Sequence, residues 1–196
     1  MDANRLDAKP LGDLQRRVFL KGASMGLLAF TVGGAEILMT PGEARARAVP
    51  FRTLKAEEAE TLEALGETLL PGAREAGVAH FIDQQVSVPP GEALLEARIV
   101  NVKPPYLDFY RAATGAVDKA SMANSGRRFV ALSAKEQHDF VDLMRQNKLE
   151  GWQGPAQGLV YFVLRSDGSD VVFGTMDGYA ELGVPYQPHI APELKW

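Results

Sequence analysis

The sequence contains no cysteine, and this absence excludes several kinds of redox chemistry. Disulfide bonds, thiolate catalysis, iron–sulfur ligation and covalent attachment of c-type haem all need cysteine side chains. The chain also has only three histidines, and it lacks both a Gly-x-Gly-x-x-Gly motif after a strand and a Walker-type loop. The usual patterns for a flavin, nicotinamide or nucleotide site are therefore missing, and we expect no cofactor in this chain.

An excess of basic charge is also lacking over most of the chain. Through Ala48 there are seven Lys/Arg against five Asp/Glu, whereas the remainder has 14 against 20. A surface that binds duplex nucleic acid needs clustered basic side chains to neutralise the phosphates. The mildly acidic remainder therefore argues against nucleic acid as a partner.

The N-terminal part of the chain has the three-part order of an export signal. A basic lead ends at Lys21, and an apolar, glycine-containing segment follows over 22–40. Ala-x-Ala patterns then end at Ala46 or Ala48, which are candidate cleavage sites. A transmembrane anchor and a buried core helix are the alternative interpretations of the apolar segment.

Glu36 disfavours the anchor, because a carboxylate inside the hydrocarbon layer of a membrane is costly. Four glycines in the same segment further lower its hydrophobicity. The export interpretation divides the chain into a signal over 1–48 and a single helical domain over 49–196.

The basic lead resembles a twin-arginine signal. Its pattern of two arginines, a variable residue and then Phe-Leu-Lys is matched by Arg16, Arg17, Phe19, Leu20 and Lys21. The resemblance implies export of already-folded cargo to the periplasm by the twin-arginine translocase. Such a route suits proteins that acquire a bulky cofactor before they cross the membrane.

From Pro50 onward the spacing of apolar residues predicts mainly helices. Thr53 is expected to cap the first of them, and Ser133 with Glu136 forms a capping box before another. The predicted helices follow the apolar stripes of Leu54–Leu69, Val78–Val86, Tyr106–Val117 and Phe140–Met144.

The C-terminal third is less regular. Two apolar runs flank Asp167-Gly168, which is a hairpin signal. We expect a helix that enters a loop here, with a short hairpin close behind and an irregular Gly/Pro-rich region after Phe173. The predicted fold class is mainly α: a compact helical domain with that irregular region and room for one short hairpin.

The histidines are the remaining candidates for chemistry. His80 and Asp83 are three residues apart on a predicted helix, a spacing that suits a metal, although a surface or boundary position is the more ordinary interpretation. His138 and His189 lie far from them in the sequence. We assign no catalytic, cofactor-binding or metal-binding residue. A stand-alone periplasmic enzyme that uses these histidines, or a metal, stays an alternative.

Four segments of the chain, in order, resemble the gluconate 2-dehydrogenase subunit 3 family. This family contains the small (gamma) subunits of membrane-bound sugar and sugar-acid dehydrogenases. The segments that carry the resemblance are 51–72, 77–86, 129–144 and 171–189.

The resemblance implies a complex at the periplasmic face of the cytoplasmic membrane. A large flavoprotein of the glucose-methanol-choline type would hold FAD and oxidise a sugar, sugar acid or polyol, and a multihaem cytochrome c subunit would carry haem c. The resemblance implies no assigned catalytic residues for the small subunit. Its implied role is to guide the folding and twin-arginine export of its flavoprotein partner.

A permanent interface with a large partner is expected to use aromatic and proline side chains. Core packing is the alternative for each candidate, and a membrane-tethered scaffold is a further alternative for the protein as a whole. The candidate interface residues are Trp152, Tyr179, Pro185, Tyr186 and Trp196.

Overall fold

The structure, a computed structural model, describes residues 26–183, and it confirms the predicted mainly α fold class. Within that range the chain forms eight α-helices, one 3-10 helix and one two-stranded hairpin. Residues 184–196, which belong to the region predicted as irregular after Phe173, lie outside the described residues.

The hairpin comes first in the described chain, and the helices follow it. β1 is Leu28–Val32 and β2 is Ala35–Met39. The α-helices are α1 Pro41–Ala46, α2 Ala56–Leu69, α3 Val78–Val86, α4 Glu96–Ile99, α5 Tyr106–Ser125, α6 Ala134–Arg145, α7 Gln157–Phe173 and α8 Met176–Glu181, and the 3-10 helix is Phe129–Ala131.

The hairpin turns through Gly33 and Gly34, whose φ angles are +59° and +84°. A two-residue turn with both φ angles positive matches the twist of antiparallel strands, and glycine adopts it without steric cost. The strands pair so that Leu28 lies opposite Met39. Glu36 is exposed on the second strand, which accounts for a carboxylate within an apolar segment.

The hairpin occupies most of the apolar segment predicted over 22–40. The alternative of a buried core helix is wrong for residues 28–39, because they form strands. No helix within residues 26–183 is both long and apolar enough to cross a membrane. The predicted division of the chain after Ala48 stays a prediction.

α2 lies at the centre of the helical body and packs against α3, α5, α6 and α7. Its buried face carries Ala59, Leu62 and Leu65 at helical spacing. Gly66 lets α3 approach closely, since a Cβ there would lie only 2.9 Å from Val78 Cγ1. The amphipathic pattern of α2 therefore builds the centre of the core.

The periodic segments predict three further helices correctly. α3 is buried on all sides and not along the predicted stripe alone, and α5 begins directly after Pro104-Pro105. The capping box of α6 is present: Glu136 N–H donates to Ser133 Oγ at 3.4 Å, and the Glu136 carboxylate accepts from Ser133 N–H at 2.8 Å. These helices are set by local signals, so the sequence predicts them well.

The predicted cap at Thr53 is wrong. α2 begins at Ala56, with Lys55 as its N-cap residue. The Thr53 backbone N–H instead donates to the Asp83 carboxylate at 2.9 Å, and the Thr53 hydroxyl lies 2.7 Å from Ser87 Oγ. Bonds to α3 therefore fix Thr53 outside the helix.

The loop and hairpin predicted around Asp167-Gly168 are also wrong. α7 runs without a break through both residues. Asp167 accepts hydrogen bonds from Glu96 on α4 and Tyr110 on α5. Gly168 packs against the residues at the C-terminal end of α2. These tertiary contacts override the local turn signal, and the hairpin of this fold lies instead at residues 28–39.

The region predicted as irregular after Phe173 begins with a short helix, α8. Thr175 is its N-cap residue, and the Thr175 side chain accepts from Gly178 N–H at 3.0 Å. α8 packs back on α7. The irregular prediction is therefore wrong for this part of the region.

Candidate functional site

An N-terminal clasp, defined as residues 28–49, wraps one side of the helical body. It comprises the hairpin, α1 and the three residues after α1. Leu28 and Phe30 are each 4% exposed and Met39 is 2% exposed, so the hairpin contributes large side chains to the core. The hairpin packs on α3, and α1 also packs on α3.

α1 is short but well terminated at both ends. Thr40 and Glu43 form a capping box, in which Glu43 N–H donates to Thr40 Oγ1 at 3.1 Å and Thr40 N–H donates to Glu43 at 2.8 Å. At the other end, Val49 N–H donates to the Ala44 carbonyl at 3.0 Å. These bonds satisfy backbone groups at both ends of α1 that the helix itself leaves without partners.

The clasp is joined to the body by an ion pair and by close backbone packing. Arg45 Nε lies 3.1 Å from Glu63 Oε1 on α2. Gly77, at the start of α3, has φ +84°, and a Cβ there would overlap the Pro41 carbonyl. Only glycine lets the two backbones approach this closely.

His80 lies beneath the clasp on α3. Its ring is 5% exposed and packs against the rings of Phe30 and Phe51, with centroids 6.5 and 4.5 Å away. Its Nε2 is 3.0 Å from the Val49 carbonyl, to which the neutral tautomer with a proton on Nε2 donates. Burial lowers the pKa of His80, and the Val49 bond offsets part of that shift.

The interpretation of His80 as a surface or boundary residue is wrong, since it is buried. Its Nδ1 is buried without a hydrogen-bond partner. Neighbouring Asp83 is committed to the backbone, as its carboxylate accepts from the N–H groups of Arg52, Thr53 and Leu54 at 2.7, 2.9 and 2.8 Å. The pair therefore fastens the last residue of the clasp and the segment directly after it to α3.

A second buried polar assembly joins α4, α5 and α7. Tyr110 donates its hydroxyl to Asp167 Oδ2 at 2.6 Å, and Glu96 N–H donates to Asp167 Oδ1 at 2.9 Å. Burial raises the pKa of Asp167 to about 7, although both hydrogen bonds favour the ionised form. Burial and the Asp167 carboxylate raise the pKa of Tyr110 well above its usual value.

Between the clasp and the body lies a mainly apolar pocket of about 200 Å³. The hairpin, α1, α3 and α7 all contribute to its wall, through Leu28, Pro41, Phe81 and Val171. Asp170 lies at this pocket and also at a second groove beside α4, and burial raises its pKa. The first pocket is smaller than the usual range for ligand sites.

The second groove includes an exposed aromatic side chain. Phe162 on α7 is 49% exposed and lines the groove together with Glu96 and Arg165. Ile99, at the end of α4, is exposed by 68%. The rest of the groove lining is polar, and exposed aromatic side chains are enriched at protein interfaces. Sequence reasoning missed Phe162, because its apolar run indicates only a buried segment.

The predicted chemistry residues are not brought together. His138 is exposed on α6, and His189 lies outside the described residues. Within residues 26–183 no group of three His, Asp or Glu side chains has an arrangement that could hold a metal ion.

Of the predicted interface residues, Trp152 and Tyr179 fall within the described range, and both are half-buried. Trp152 packs against the core, and its indole N–H donates to the Pro155 carbonyl at 2.7 Å. The other three, Pro185, Tyr186 and Trp196, lie outside the described residues. So do all five residues of the export pattern, Arg16, Arg17, Phe19, Leu20 and Lys21.

The family model described as Gluconate 2-dehydrogenase subunit 3 matches residues 56–181. This range begins at the first residue of α2 and ends at the last residue of α8. No curated protein and no solved structure matches the chain.

Proposed function

The chain belongs to the gluconate 2-dehydrogenase subunit 3 family, and from this membership we propose that it is the non-catalytic small subunit of a dehydrogenase that oxidises a sugar, sugar acid or polyol. The family name implies a multi-subunit dehydrogenase complex. In the proposed complex, a glucose-methanol-choline-type large subunit holds FAD, and a multihaem cytochrome c subunit holds haem c. The complex lies in the periplasm at the cytoplasmic membrane.

The proposed role of this chain is to guide the folding and export of its flavoprotein partner. The observation behind this proposal is the family match over residues 56–181, which spans α2 to α8. The Arg-Arg-x-Phe-Leu-Lys pattern of residues 16–21 supports it, because that pattern resembles a signal for folded cargo. A flavoprotein loaded with FAD in the cytoplasm is cargo of this kind.

The groove beside α4 supports a partner interface on the body. Phe162 and Ile99 expose apolar area, and charged side chains at Glu96 and Arg165 border the groove. Single exposed apolar residues are common on protein surfaces, but an aromatic group within a charged groove suits a partner contact better. This surface lies within the matched residues.

Co-expression with the flavoprotein large subunit tests the complex. The full chain carries a C-terminal tag, and the fractions recovered through the tag are assayed for FAD absorbance and for the large subunit. We expect both to co-purify with the tagged chain. Separate purification of the two folded proteins would contradict the proposed complex.

Export is tested by the double change Arg16→Lys and Arg17→Lys. We expect the FAD-containing partner to stay in the cytoplasm, as measured by FAD and dehydrogenase activity after cell fractionation. Arg5→Lys makes the same chemical change outside the twin-arginine pattern and is the matched control. Equal periplasmic activity in the double variant and the control would exclude the export role while leaving the complex possible.

A further inference from the structure

The predicted cleavage sites lie inside folded structure. Ala46 ends α1, and Ala48 follows it with φ +51° in the backbone turn that closes the helix. Ala44, which occupies the other small-residue position before Ala46, is fully buried. A protease takes its substrate as an accessible, extended segment, so cleavage here requires local unfolding of the clasp.

Local unfolding would break contacts along the whole clasp. Phe30 and Met39 would leave the core, and Arg45 would separate from Glu63. The His80 ring would lose both Phe30 and the Val49 carbonyl. The segment therefore has the contacts of a core element and not those of a linker.

We propose that the clasp is a permanent part of the folded protein and that the chain is not processed at Ala46 or Ala48. The folded domain then begins at the hairpin, not at Val49. Six residues of sequence separate Lys21, the last residue of the predicted export pattern, from Leu28 at the start of β1. This inference does not depend on the identity of the partner subunits.

The first test is the N-terminus of the protein that cells produce. The full chain with a C-terminal tag is purified and analysed by N-terminal sequencing and intact mass. We expect every N-terminus to precede Leu28, whether or not the chain is trimmed upstream. An N-terminus at Arg47 or Val49, or at any other position after Leu28, would overturn the proposal.

Limited trypsin digestion tests the protection directly, because trypsin cleaves after Arg45 and Arg47. A synthetic peptide of residues 40–52 gives the cleavage rate of the same bonds without the fold. We expect the purified full chain to be cut at these bonds at least about 100-fold more slowly than the peptide. Equal rates in the two would show that the clasp does not protect the segment.

Variants link the protection to the hairpin. Phe30→Ala removes a core aromatic, and we expect cleavage after Arg45 and Arg47 to rise by about 10-fold or more. Ile37→Ala, at a partly exposed position on β2, is the matched control and should change the rate by less than about 3-fold. Equal effects of the two variants would contradict the proposal.

A milder change covers the case in which Phe30→Ala does not fold. Thr40→Ala removes the N-cap of α1 and keeps the hairpin core intact. We expect about a 5-fold rise in cleavage rate with unchanged circular dichroism. No rise would show that α1 does not limit access to the bonds.

Discussion

The Asp167 carboxyl group lies in the core between three helices, and its ionisation should be visible in the stability of the protein. Its folded pKa of about 7 is raised above the ordinary value of 3.8. Between about pH 4 and pH 7 the folded state therefore holds a proton that the unfolded state releases. The stability that this group contributes is fully present below about pH 4. It is lost as the pH rises through about 7.

Asp167→Asn should remove this pH dependence, because an amide does not ionise. We expect the free energy of unfolding of the wild type, relative to the variant, to fall by a few kcal/mol between about pH 4 and pH 8. Urea unfolding at several pH values measures it. Asp108→Asn, at an exposed position on α5, is the control. Parallel profiles for the wild type and Asp167→Asn would contradict the assignment.

Asp83 makes a different kind of contribution, since its carboxylate satisfies three backbone N–H groups after the clasp. Asp83→Ala leaves these donors without an acceptor, and we expect a loss of about 3 kcal/mol or more in the free energy of unfolding. Asp83→Asn keeps one acceptor oxygen and should lose less. A loss below about 1 kcal/mol for Asp83→Ala in urea unfolding would show that the three bonds contribute little.

At the scale of elements, two glycines allow the cost of a left-handed backbone conformation to be distinguished from the cost of a steric overlap. Gly72 and Gly77 both have positive φ angles, +90° and +84°. A Cβ at Gly72 meets nothing within 4 Å, whereas one at Gly77 would overlap the α1 backbone at Pro41. Both Ala variants are expected to pay about 1 to 2 kcal/mol for the left-handed conformation.

Gly77→Ala should cost about 1 to 3 kcal/mol more than Gly72→Ala, because α1 must move away from α3. Thermal unfolding of the two variants measures the difference. The displaced α1 should also make the Arg47–Ala48 bond more accessible to trypsin in Gly77→Ala alone. Equal stability and equal cleavage in the two variants would contradict the close packing of α1 on α3.

The elements also show what the sequence could predict. α3, α5 and α6 follow from apolar periodicity and from the Ser133–Glu136 box, since these signals are local. The hairpin had a local signal in Gly33-Gly34, but the surrounding apolar segment matched an export signal equally well. At Asp167-Gly168, by contrast, contacts from distant helices override a local turn signal.

The candidate site was less predictable for the same physical reason. The three-residue spacing of His80 and Asp83 indicated a possible pair of metal ligands. Their actual partners, the Val49 carbonyl and the N–H groups after Phe51, lie about 30 residues earlier in the chain. No local pattern encodes a contact of that separation, so the role of this pair appears only once the clasp is folded onto α3.

At the scale of the whole molecule, the family match covers fewer residues than the folded core. The match begins with α2, while the core includes the hairpin and α1 that precede it. The clasp therefore completes a core whose other parts lie within the matched body. Its removal should expose the His80 side chain and the apolar face of α3.

The size of this contribution can be measured by comparing chains that start at Gly26 and at Val49. The second chain loses Leu28, Phe30 and Met39, each worth about 1.5–3 kcal/mol when buried, or about 5–9 kcal/mol together. This is comparable with the whole stability of many domains, about 5–15 kcal/mol. We expect the Val49 chain to melt at least about 10 °C lower than the Gly26 chain, or to aggregate. Melting temperatures within a few degrees of each other, with equal helical circular dichroism, would mean that the helical body folds without the clasp.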